Sequence, residues 1–327
     1  MPCPEVLTIS GFAGHARNER DEPGTAYSGH LLIGGVSVQV SGERSADVAF
    51  SPSLHPFRNG GTARDIEIKV EWVDQIFPTR GCQAFDSGSV WRLYERDNGF
   101  QFDFSTANFG DWPYKRLLVD GKFCSATLQM SEEGFGRCGG NADPLDYPLD
   151  ELLIMHRLTQ EKAIELHCTG IVRPNGDANL FVGHSGAGKS TTTRLWTSLE
   201  DVEVLSDDRI IVRRDESSLH SSHDNPKKKM RMYGTPWHGE AMYASPNSAP
   251  LARIFVLEHG HGNVITPLTP SQAVAELFAR AFVPFHRHEY VESALTFLEE
   301  VANSVPVYRY SFEPDQRAVE KIIHFHD

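Results

Sequence analysis

Two parts of the chain differ in how hydrophobic and polar residues alternate along them. Between about residues 27 and 130 the pattern is that of strands, and residues 66–72 switch between apolar and polar at successive positions. Residues 91–104 contain two such alternating stretches around Asn98 and Gly99, a pair that is typical of a tight hairpin turn. We therefore predict an all-β structure for this part. The residues before it are polar and rich in Gly, Pro and Glu, which indicates a loose arm.

The pattern changes after a stretch rich in Gly, Asp and Pro at 131–148. Apolar residues then recur at helical spacing over 149–160, and short apolar strands alternate with helices from there onward, which is typical of an α/β fold. The other predicted elements are strands at 163–167, 179–182, 202–205, 210–213, 230–233, 253–258 and 307–312, and helices at 189–199, 271–282, 290–301 and 315–324. The predicted fold class is thus α/β (α+β), with a β-rich N-terminal portion at 1–140 and a second domain at 141–327.

Composition and charge limit the functions that the chain can have. Of its 327 residues 40% are hydrophobic, and 31 Lys and Arg against 44 Asp and Glu give a net charge of −13. Clustered cations supply the sequence-independent affinity for nucleic acids and anionic membranes, so we expect neither as a partner. The longest apolar stretches fall far short of the roughly 20 residues of a membrane span, and the N-terminus lacks a signal-peptide pattern. Five cysteines without a Cys-x-x-Cys motif favour free thiols and a cytoplasmic location.

A phosphate-binding motif follows the predicted strand at 179–182. Residues 183–190 match G-x-x-x-x-G-K-[ST] at every fixed position. The glycines let successive backbone N–H groups converge on phosphate oxygens at the positive end of the next helix. Lys189 then reaches the β- and γ-phosphates, and the Ser190 hydroxyl takes a Mg²⁺ position. The strand before the motif and the helix after it argue against a chance match. The predicted nucleotide-binding residues are Gly183, His184, Ser185, Gly186, Ala187, Gly188, Lys189, Ser190 and Thr191.

Two adjacent carboxylates, Asp207 and Asp208, follow the predicted strand at 202–205. A phosphoryl-transfer site needs carboxylates for its metal and, where the acceptor is a hydroxyl, a base beside it. Because adjacent parallel strands end at the same edge of a sheet, we expect this pair to lie beside the phosphate loop. The alternative is a surface turn, a common place for two aspartates. His167 ends the strand at 163–167, the one before the strand that leads into the phosphate loop, and a lone His is more often structural or solvated than functional.

Together these residues resemble the catalytic domain of HPr kinase/phosphorylase. The shared features are His167 on one strand, the G-x-S-G-x-G-K-S sequence of residues 183–190, and the Asp-Asp-Arg-Ile sequence of residues 207–210. The resemblance covers residues 150–260 and implies a nucleotide-binding core related to that of phosphoenolpyruvate carboxykinase. The whole chain, through residues 234–240 among others, looks more like the HPr-kinase-like proteins of bacterial gene clusters, which include kinases that tailor ribosomally made peptides.

The resemblance implies an ATP-dependent kinase that requires Mg²⁺. By this resemblance Lys189 binds the transferred phosphate, and Ser190 and Asp207 bind Mg²⁺. Asp208 is the general base towards an acceptor hydroxyl, and His167 contacts phosphate or supports that base. A serine hydroxyl is too weakly acidic to attack unaided, so a carboxylate within hydrogen-bond reach is expected. The resemblance also suggests a homo-oligomer.

Departures from the family pattern narrow the expected activity. The family's second metal ligand is a Glu in a Glu-x-Arg-Gly-Leu-Gly sequence; the corresponding residues 231–236 contain no acid, and Glu240 is the nearest substitute. The family's basic loop for reverse phosphorolysis has no counterpart near 266–271, so we expect neither phosphorylase activity nor HPr as the substrate. Residues 237–240 fit two interpretations equally, a loop that delivers polar groups to a cleft and a tight turn that packs an aromatic residue. The lysines at 227–229 are interpreted as a solvated hairpin tip.

The predicted reaction is transfer of the γ-phosphate of ATP to a serine-type hydroxyl of a peptide or small protein. Two alternatives stay open: a kinase of a small molecule such as free serine, and a nucleotide-sensing module whose β-rich part recruits a partner, with little turnover. A deep, closed acceptor pocket favours the small molecule, whereas an open groove beside Asp208 favours a peptide. No acceptor motif decides between them, and no base-specific motif identifies the nucleotide.

Overall fold

The part of the chain that the computed structural model describes consists of residues 26–110, 112–138, 142–215 and 230–326. The expected N-terminal arm, the expected domain boundary after residue 140 and the lysines at 227–229 lie outside these residues. A β-rich N-terminal part is followed by a part in which strands and helices mix, which confirms the predicted α/β (α+β) class. Within the described ranges, no helix combines the length and the apolar character that crossing a membrane requires.

An eight-stranded sheet forms the N-terminal part. In chain order its strands are β1 (Tyr27–Ile33), β2 (Val36–Gly42), β3 (Ile66–Val73), β4 (Gln83–Asp86), β5 (Trp91–Arg96), β6 (Gly99–Phe104), β7 (Lys115–Asp120) and β8 (Ser125–Ser131). The spatial order is β1-β2-β3-β8-β7-β6-β5-β4, and the β2–β3 and β3–β8 pairs are parallel. Alternate residues of β3 from Ile66 to Val70 are buried, as the period-two pattern predicts.

Glycines lie at two hairpins of this sheet. β5 and β6 are joined by a turn of Asp97 and Asn98, one residue earlier than predicted, and Gly99 pairs with Arg96 as the first residue of β6. A Cβ on Gly99 would lie 2.1 Å from the carbonyl oxygen of Val119. β1 and β2 meet at Gly34 and Gly35, whose φ angles of 57° and 78° belong to left-handed backbone. The left-handed turn between β1 and β2 matches the twist of the strands that it joins, and it fixes the register of that hairpin.

A ten-stranded sheet is the framework of the second part. Its strands are β9 (Ala163–Val172), β10 (Ala178–Val182), β11 (Glu203–Ser206), β12 (Arg209–Arg214), β13 (Met230–Gly234), β14 (Ser248–Pro250), β15 (Arg253–His259), β16 (Val264–Pro267), β17 (Ala281–Phe282) and β18 (Val307–Phe312). The main order is β14-β13-β12-β9-β10-β15-β18-β16, and β11 and β17 each pair with part of β9. β9 is longer than the predicted strand at 163–167 and is the central strand of this sheet.

The helices lie mostly in the second part. They are α1 (Glu132–Cys138), α2 (Leu149–Leu158), α3 (Lys189–Thr197), α4 (Pro270–Phe278), α5 (His288–Ser304) and α6 (Gln316–Ile323). α4 begins at a capping box in which the Thr269 and Gln272 side chains bond each other's backbone N–H groups. The helix predicted over 271–282 ends at Phe278, because residues 281–282 pair with β9 instead.

Buried apolar side chains form three clusters. One of them joins the two parts of the chain, because it contains the inner face of the first sheet together with Ile211, Trp237 and Tyr290 of the second part. The other two lie on opposite faces of the second sheet: Leu277 of α4 belongs to one, and Trp196 of α3 to the other. The second sheet is therefore covered by helices on both faces, and it shares a core with the first.

Candidate active site

The phosphate loop connects β10 to α3, as the sequence predicts. Its path requires glycines: Gly186 and Gly188 have φ angles of 82° and 104°, and a Cβ on Gly188 would lie 2.5 Å from the ring of Phe312. A Cβ on Gly183 would lie 2.7 Å from that of Ala187. The loop leads directly into the first turn of α3, where backbone N–H groups lack partners within the helix and favour an anion.

Lys189 folds back over this loop. Its Nζ donates a hydrogen bond to the carbonyl oxygen of Gly183 at 3.0 Å, and the residue is 7% exposed. Burial lowers the pKa of Lys189, and the charge of Asp208 opposes that shift. The Lys189 ammonium thus lies at the loop. If a phosphate oxygen replaces the Gly183 carbonyl as its partner, the hydrogen bond becomes stronger, because the new acceptor is charged.

The other polar residues of the predicted nucleotide site lie at the surface. His184, Ser185 and Ser190 are exposed, and Thr191 is half-buried, with its Oγ1 accepting a hydrogen bond from Arg194 at 3.3 Å. Ser190 occupies the first turn of α3. Its hydroxyl therefore lies where the motif places Mg²⁺.

β9 lies between the phosphate loop and the acidic pair. We expected the strands that lead to them to be neighbours, but β10 and β11 pair with opposite edges of β9, and both are antiparallel to it. Because β10 and β11 run in the same direction, they still end at the same level. The Gly183 N–H donates to the carbonyl of His167 at 3.3 Å, and the Cys168 N–H donates to the carbonyl of Asp208 at 3.0 Å. The expected closeness thus arises with one strand in between.

His167 and Asp208 form a pair. His167 Nε2 and Asp208 Oδ1 lie 2.9 Å apart, and the two side chains are 23% and 25% exposed. The other Asp208 oxygen accepts a hydrogen bond from the guanidinium of Arg209. Burial raises the pKa of the Asp208 carboxyl, but the hydrogen bond with His167 and the charges of Arg209 and Lys189 outweigh it, so that this pKa lies below its usual value. Asp208 is therefore an ionised carboxylate at neutral pH, partly accessible to solvent.

Asp207 has a different environment from its neighbour. Its carboxylate is 2% exposed and accepts backbone hydrogen bonds from Gly239 at 3.0 Å and Tyr243 at 3.2 Å on one oxygen, and from Ala241 at 2.9 Å on the other. A carboxylate has about four lone-pair positions, and three of them here hold the loop that follows Trp237. Asp207 thus anchors this loop, and this structural role was not predicted from the sequence.

The residues near the phosphate loop suit only a metal site in which most ligands are waters and substrate phosphates. Glu240, the other expected ligand, is exposed, and within the described ranges no three His, Cys, Asp or Glu side chains are grouped to hold a metal ion. Mg²⁺ in phosphoryl-transfer sites keeps several waters and uses one or two protein ligands beside the substrate phosphates. The exposed Ser190 hydroxyl fits such a site, whereas a cage of protein ligands does not.

Arg209 is held by three contacts and in turn holds Asp208. Its Nε donates to Glu151 at 2.9 Å and lies 3.4 Å from Glu165, and its guanidinium carbon lies 4.0 Å from the ring centre of Phe282. Burial lowers the pKa of Arg209, but the charges of Glu151 and Asp208 outweigh this and raise it. The guanidinium is fixed by charge and by an aromatic face, so it fixes the carboxylate of Asp208 as well.

Glu165 is a completely buried carboxyl in β9. Burial raises the pKa of Glu165 well above its usual value, and the negative charge of Glu151 adds to the shift. The charge of Arg209, 3.4 Å away, acts in the opposite direction. Arg209 also pairs with Glu151 and Asp208.

A cleft of about 600 Å³ opens beside Asp208, between the two parts of the chain. Ser51 and Ser53 of the first part line one side of it, and Asp208 and Arg209 line the other. The rim is open to solvent, since Tyr147 at this cleft is 62% exposed. The two serines were not predictable from the sequence, because nothing in their neighbourhood along the chain points to the second part.

The Trp237–Glu240 loop does both things that its sequence suggests: it packs an aromatic residue, and it brings a polar group to a cleft. Trp237 is 7% exposed, packs in the shared core and donates from Nε1 to Asp150 at 2.8 Å. Burial raises the pKa of Asp150 to about 7, against the effect of that hydrogen bond. His238, the next residue, lines the cleft. One residue of the loop therefore packs, and its neighbour delivers a polar group.

A scan against models of protein families finds no match for this chain, and no curated protein is similar to it at a significant level. The chemistry of the site is accordingly inferred from its own residues, a phosphate loop with a buried lysine and an ionised carboxylate at a cleft.

Proposed function

We propose that this protein is an ATP-dependent kinase that transfers the γ-phosphate to a serine-type hydroxyl of a peptide or small protein. One observation supports this most directly: the Asp208 carboxylate, paired with His167, lies at a cleft and one strand away from the phosphate loop that holds Lys189. Phosphoryl transfer from a nucleotide to a hydroxyl needs a phosphate cradle and a base side by side. A cytoplasmic location and a homo-oligomer belong to the same proposal.

In the proposed reaction the acceptor oxygen attacks the γ-phosphorus, the bond from that phosphorus to the bridging oxygen breaks, and ADP leaves. Lys189 exchanges its bond to the Gly183 carbonyl for bonds to phosphate oxygens, which neutralises part of their charge. Asp208 takes the proton of the acceptor hydroxyl as the new phosphorus–oxygen bond forms. The products are ADP and the phosphorylated hydroxyl, with the proton on Asp208 released to solvent afterwards.

His167 and Arg209 position the base in this scheme. Each of them occupies one oxygen of Asp208, which limits the rotation of the carboxylate and leaves its remaining lone pairs for the acceptor. The lowered pKa makes Asp208 a weak base. A weak base suffices when the transition state is loose and the attacking oxygen has formed little of its bond to phosphorus.

The proposal includes Mg²⁺, with one residue of this chain and the phosphates of the nucleotide as its ligands. Ser190, in the first turn of α3, would hold the ion, which would supply charge neutralisation at the phosphates of the nucleotide. Asp207 is tied to the loop around Ala241, and we assign it no step.

A small-molecule kinase is the second candidate. The cleft volume of about 600 Å³ lies within the range of roughly 300–1,000 Å³ that is usual for small-ligand pockets. A free amino acid with a hydroxyl side chain is an acceptor of suitable size. The open rim at Tyr147 favours the peptide instead, because a chain can extend beyond the cleft.

Labelling of a cell extract tests the proposal. The wild type and Asp208→Asn are incubated with γ-labelled ATP, Mg²⁺ and a heat-treated extract of the source cells. Asparagine preserves the size of the side chain and one acceptor oxygen, and equal ATP affinity of the two proteins serves as the control. Label on a peptide or protein with the wild type alone supports the proposal, and label on a small metabolite selects the second candidate. ATP binding without any transfer indicates a nucleotide sensor.

A further inference from the structure

Arg280 lies next to the phosphate loop, although it is distant from it in the sequence. It stands between the end of α4 and β17, and its carbonyl oxygen accepts the N–H of His167 at 2.8 Å. β17 continues the pairing, with Ala281 opposite Leu166. The backbone of Arg280 is thus hydrogen-bonded to the same strand as the phosphate loop and Asp208.

The side chain of Arg280 extends towards the loop. Its Nη2 lies 3.5 Å from Nδ1 of His184, the second residue of the loop. Its Nη1 donates to both the carbonyl and the carboxylate of Glu276, each at 2.7 Å. The side chain is 12% exposed. The guanidinium is therefore held at one end by α4, and its other end lies against the phosphate loop.

Several N–H donors of this guanidinium are poorly matched. Nε is inaccessible to solvent and has no hydrogen bond to any described residue. The contact of Nη2 to His184 is long for a hydrogen bond, and an imidazole ring supplies no negative charge to pair with a guanidinium. Buried donors without partners are rare and unfavourable, and only the Nη1 end of this cation is paired with a carboxylate, that of Glu276. Nη2 lies against the phosphate loop, so it can donate to an anion that comes from outside the chain, at the place where the loop binds phosphate.

We propose that Arg280 binds the terminal phosphate of the nucleotide and neutralises the charge of this group during transfer. The inference rests on the proposed function, because it adds a residue to the nucleotide site of the kinase. A guanidinium offers phosphate oxygens a planar set of donors and keeps its charge at all relevant pH values. An arginine on the transferred group accelerates phosphoryl transfer by large factors. Lys189 and Arg280 thus approach the same phosphate from α3 and from the end of α4.

A comparison of ATP with ADP tests the inference without any acceptor. Arg280→Gln removes the charge and keeps a polar side chain. In titration calorimetry with the full chain and Mg²⁺, we expect this change to weaken ATP binding about tenfold or more and to leave the Kd of ADP within about twofold. Lys189→Ala weakens the binding of both nucleotides, because Lys189 also reaches the β-phosphate.

Arg309→Gln is the matched control. Arg309 donates to the other carboxylate oxygen of Glu276 at 2.7 Å, so this change removes a guanidinium from the same ion-pair cluster and leaves residue 280 intact. If Arg280 acts only through that cluster, the two variants have the same effect on ATP binding, and the inference is wrong. Equal weakening of ATP and ADP by Arg280→Gln also overturns it. The inference is supported if Arg280→Gln loses the preference for ATP over ADP while Arg309→Gln keeps it, and if the melting temperature of Arg280→Gln is unchanged.

The two proposals fail in different ways. A wild type that binds neither nucleotide contradicts both of them. A wild type that prefers ATP through Arg280 but labels no acceptor contradicts the kinase and supports the role of Arg280 at the phosphate. Phosphate transfer with an ATP preference that is independent of Arg280 supports the kinase and overturns the inference.

Discussion

Replacement of Asp207 by asparagine distinguishes between two roles for this residue, the loop anchor that its contacts show and the Mg²⁺ ligand that the family resemblance implies. One carboxylate oxygen accepts the N–H groups of Gly239 and Tyr243, and the other accepts that of Ala241. An asparagine oxygen in the first position preserves two of these bonds. The amide nitrogen then faces the Ala241 N–H, so that two donors meet where a donor met a charged acceptor.

These contacts determine how much the change lowers the free energy of unfolding. A hydrogen bond to a charged group contributes about 1.5–3 kcal/mol, and a buried donor left without a partner costs about 1–3 kcal/mol. Asp207 is 2% exposed, so water has little access to replace the lost acceptor. Loss of one bond and weakening of the other two therefore predict that Asp207→Asn lowers the free energy of unfolding by about 2–4 kcal/mol.

Urea denaturation in the presence of EDTA measures this effect. Without a metal, a residue whose function is to bind Mg²⁺ contributes nothing through that function, whereas an anchor contributes fully. Glu240→Gln on the same loop is the control, because an exposed side chain is expected to change stability by less than about 0.5 kcal/mol. Wild-type stability of Asp207→Asn in EDTA, combined with loss of Mg²⁺-dependent ATP binding, would refute the anchor and establish the metal ligand.

Three further predictions concern single residues. Gly188→Ala should abolish nucleotide binding in calorimetry or prevent folding, because the new Cβ would lie 2.5 Å from the ring of Phe312 at a φ of 104°; unchanged affinity would contradict this. Asp208→Asn should keep the Kd of ATP and slow transfer by about 10²–10⁴, the usual contribution of a general base, and a fully active variant would exclude Asp208 from that function. Because burial raises the pKa of Asp150 to about 7 in the folded state, the folded protein binds more protons than the unfolded chain between about pH 4 and 7. The free energy of unfolding should therefore fall as the pH rises through this range, and denaturation of Asp150→Asn should show a smaller fall.

Local patterns were sufficient for most of the fold. The hairpin of β5 and β6, to within one residue of its turn, and the first residues of α4 are specified by neighbours along the chain, through turn preference and capping. The early end of α4 at Phe278 was not predictable in this way. It results from the pairing of residues 281–282 with β9, a long-range contact that leaves no periodic signal. The position of β9 between β10 and β11 has the same origin.

In the candidate site, too, local sequence predicts some residues, whereas long-range contacts place the others. The phosphate loop was predictable because its backbone requires glycine at fixed spacings, as Gly183 and Gly188 show by the atoms that a Cβ would meet. Asp207 and Asp208 are identical in type and adjacent, and only their surroundings distinguish an anchored carboxylate from one that lies at a cleft. Arg280 belongs to no motif, and it reaches the loop through the pairing of a two-residue strand.

Two consecutive residues of β9 connect the parts of this site. His167 binds the backbone of Arg280 through its N–H and that of Gly183 through its carbonyl, and Cys168 binds that of Asp208. Amides in a central strand exchange with deuterated solvent mainly through large-scale opening, so these bonds persist for as long as the second sheet does. The spacing of the phosphate loop, Asp208 and Arg280 is consequently set during folding. Under the proposed function, a nucleotide that binds there has little backbone ordering to impose, and its binding loses correspondingly little conformational entropy.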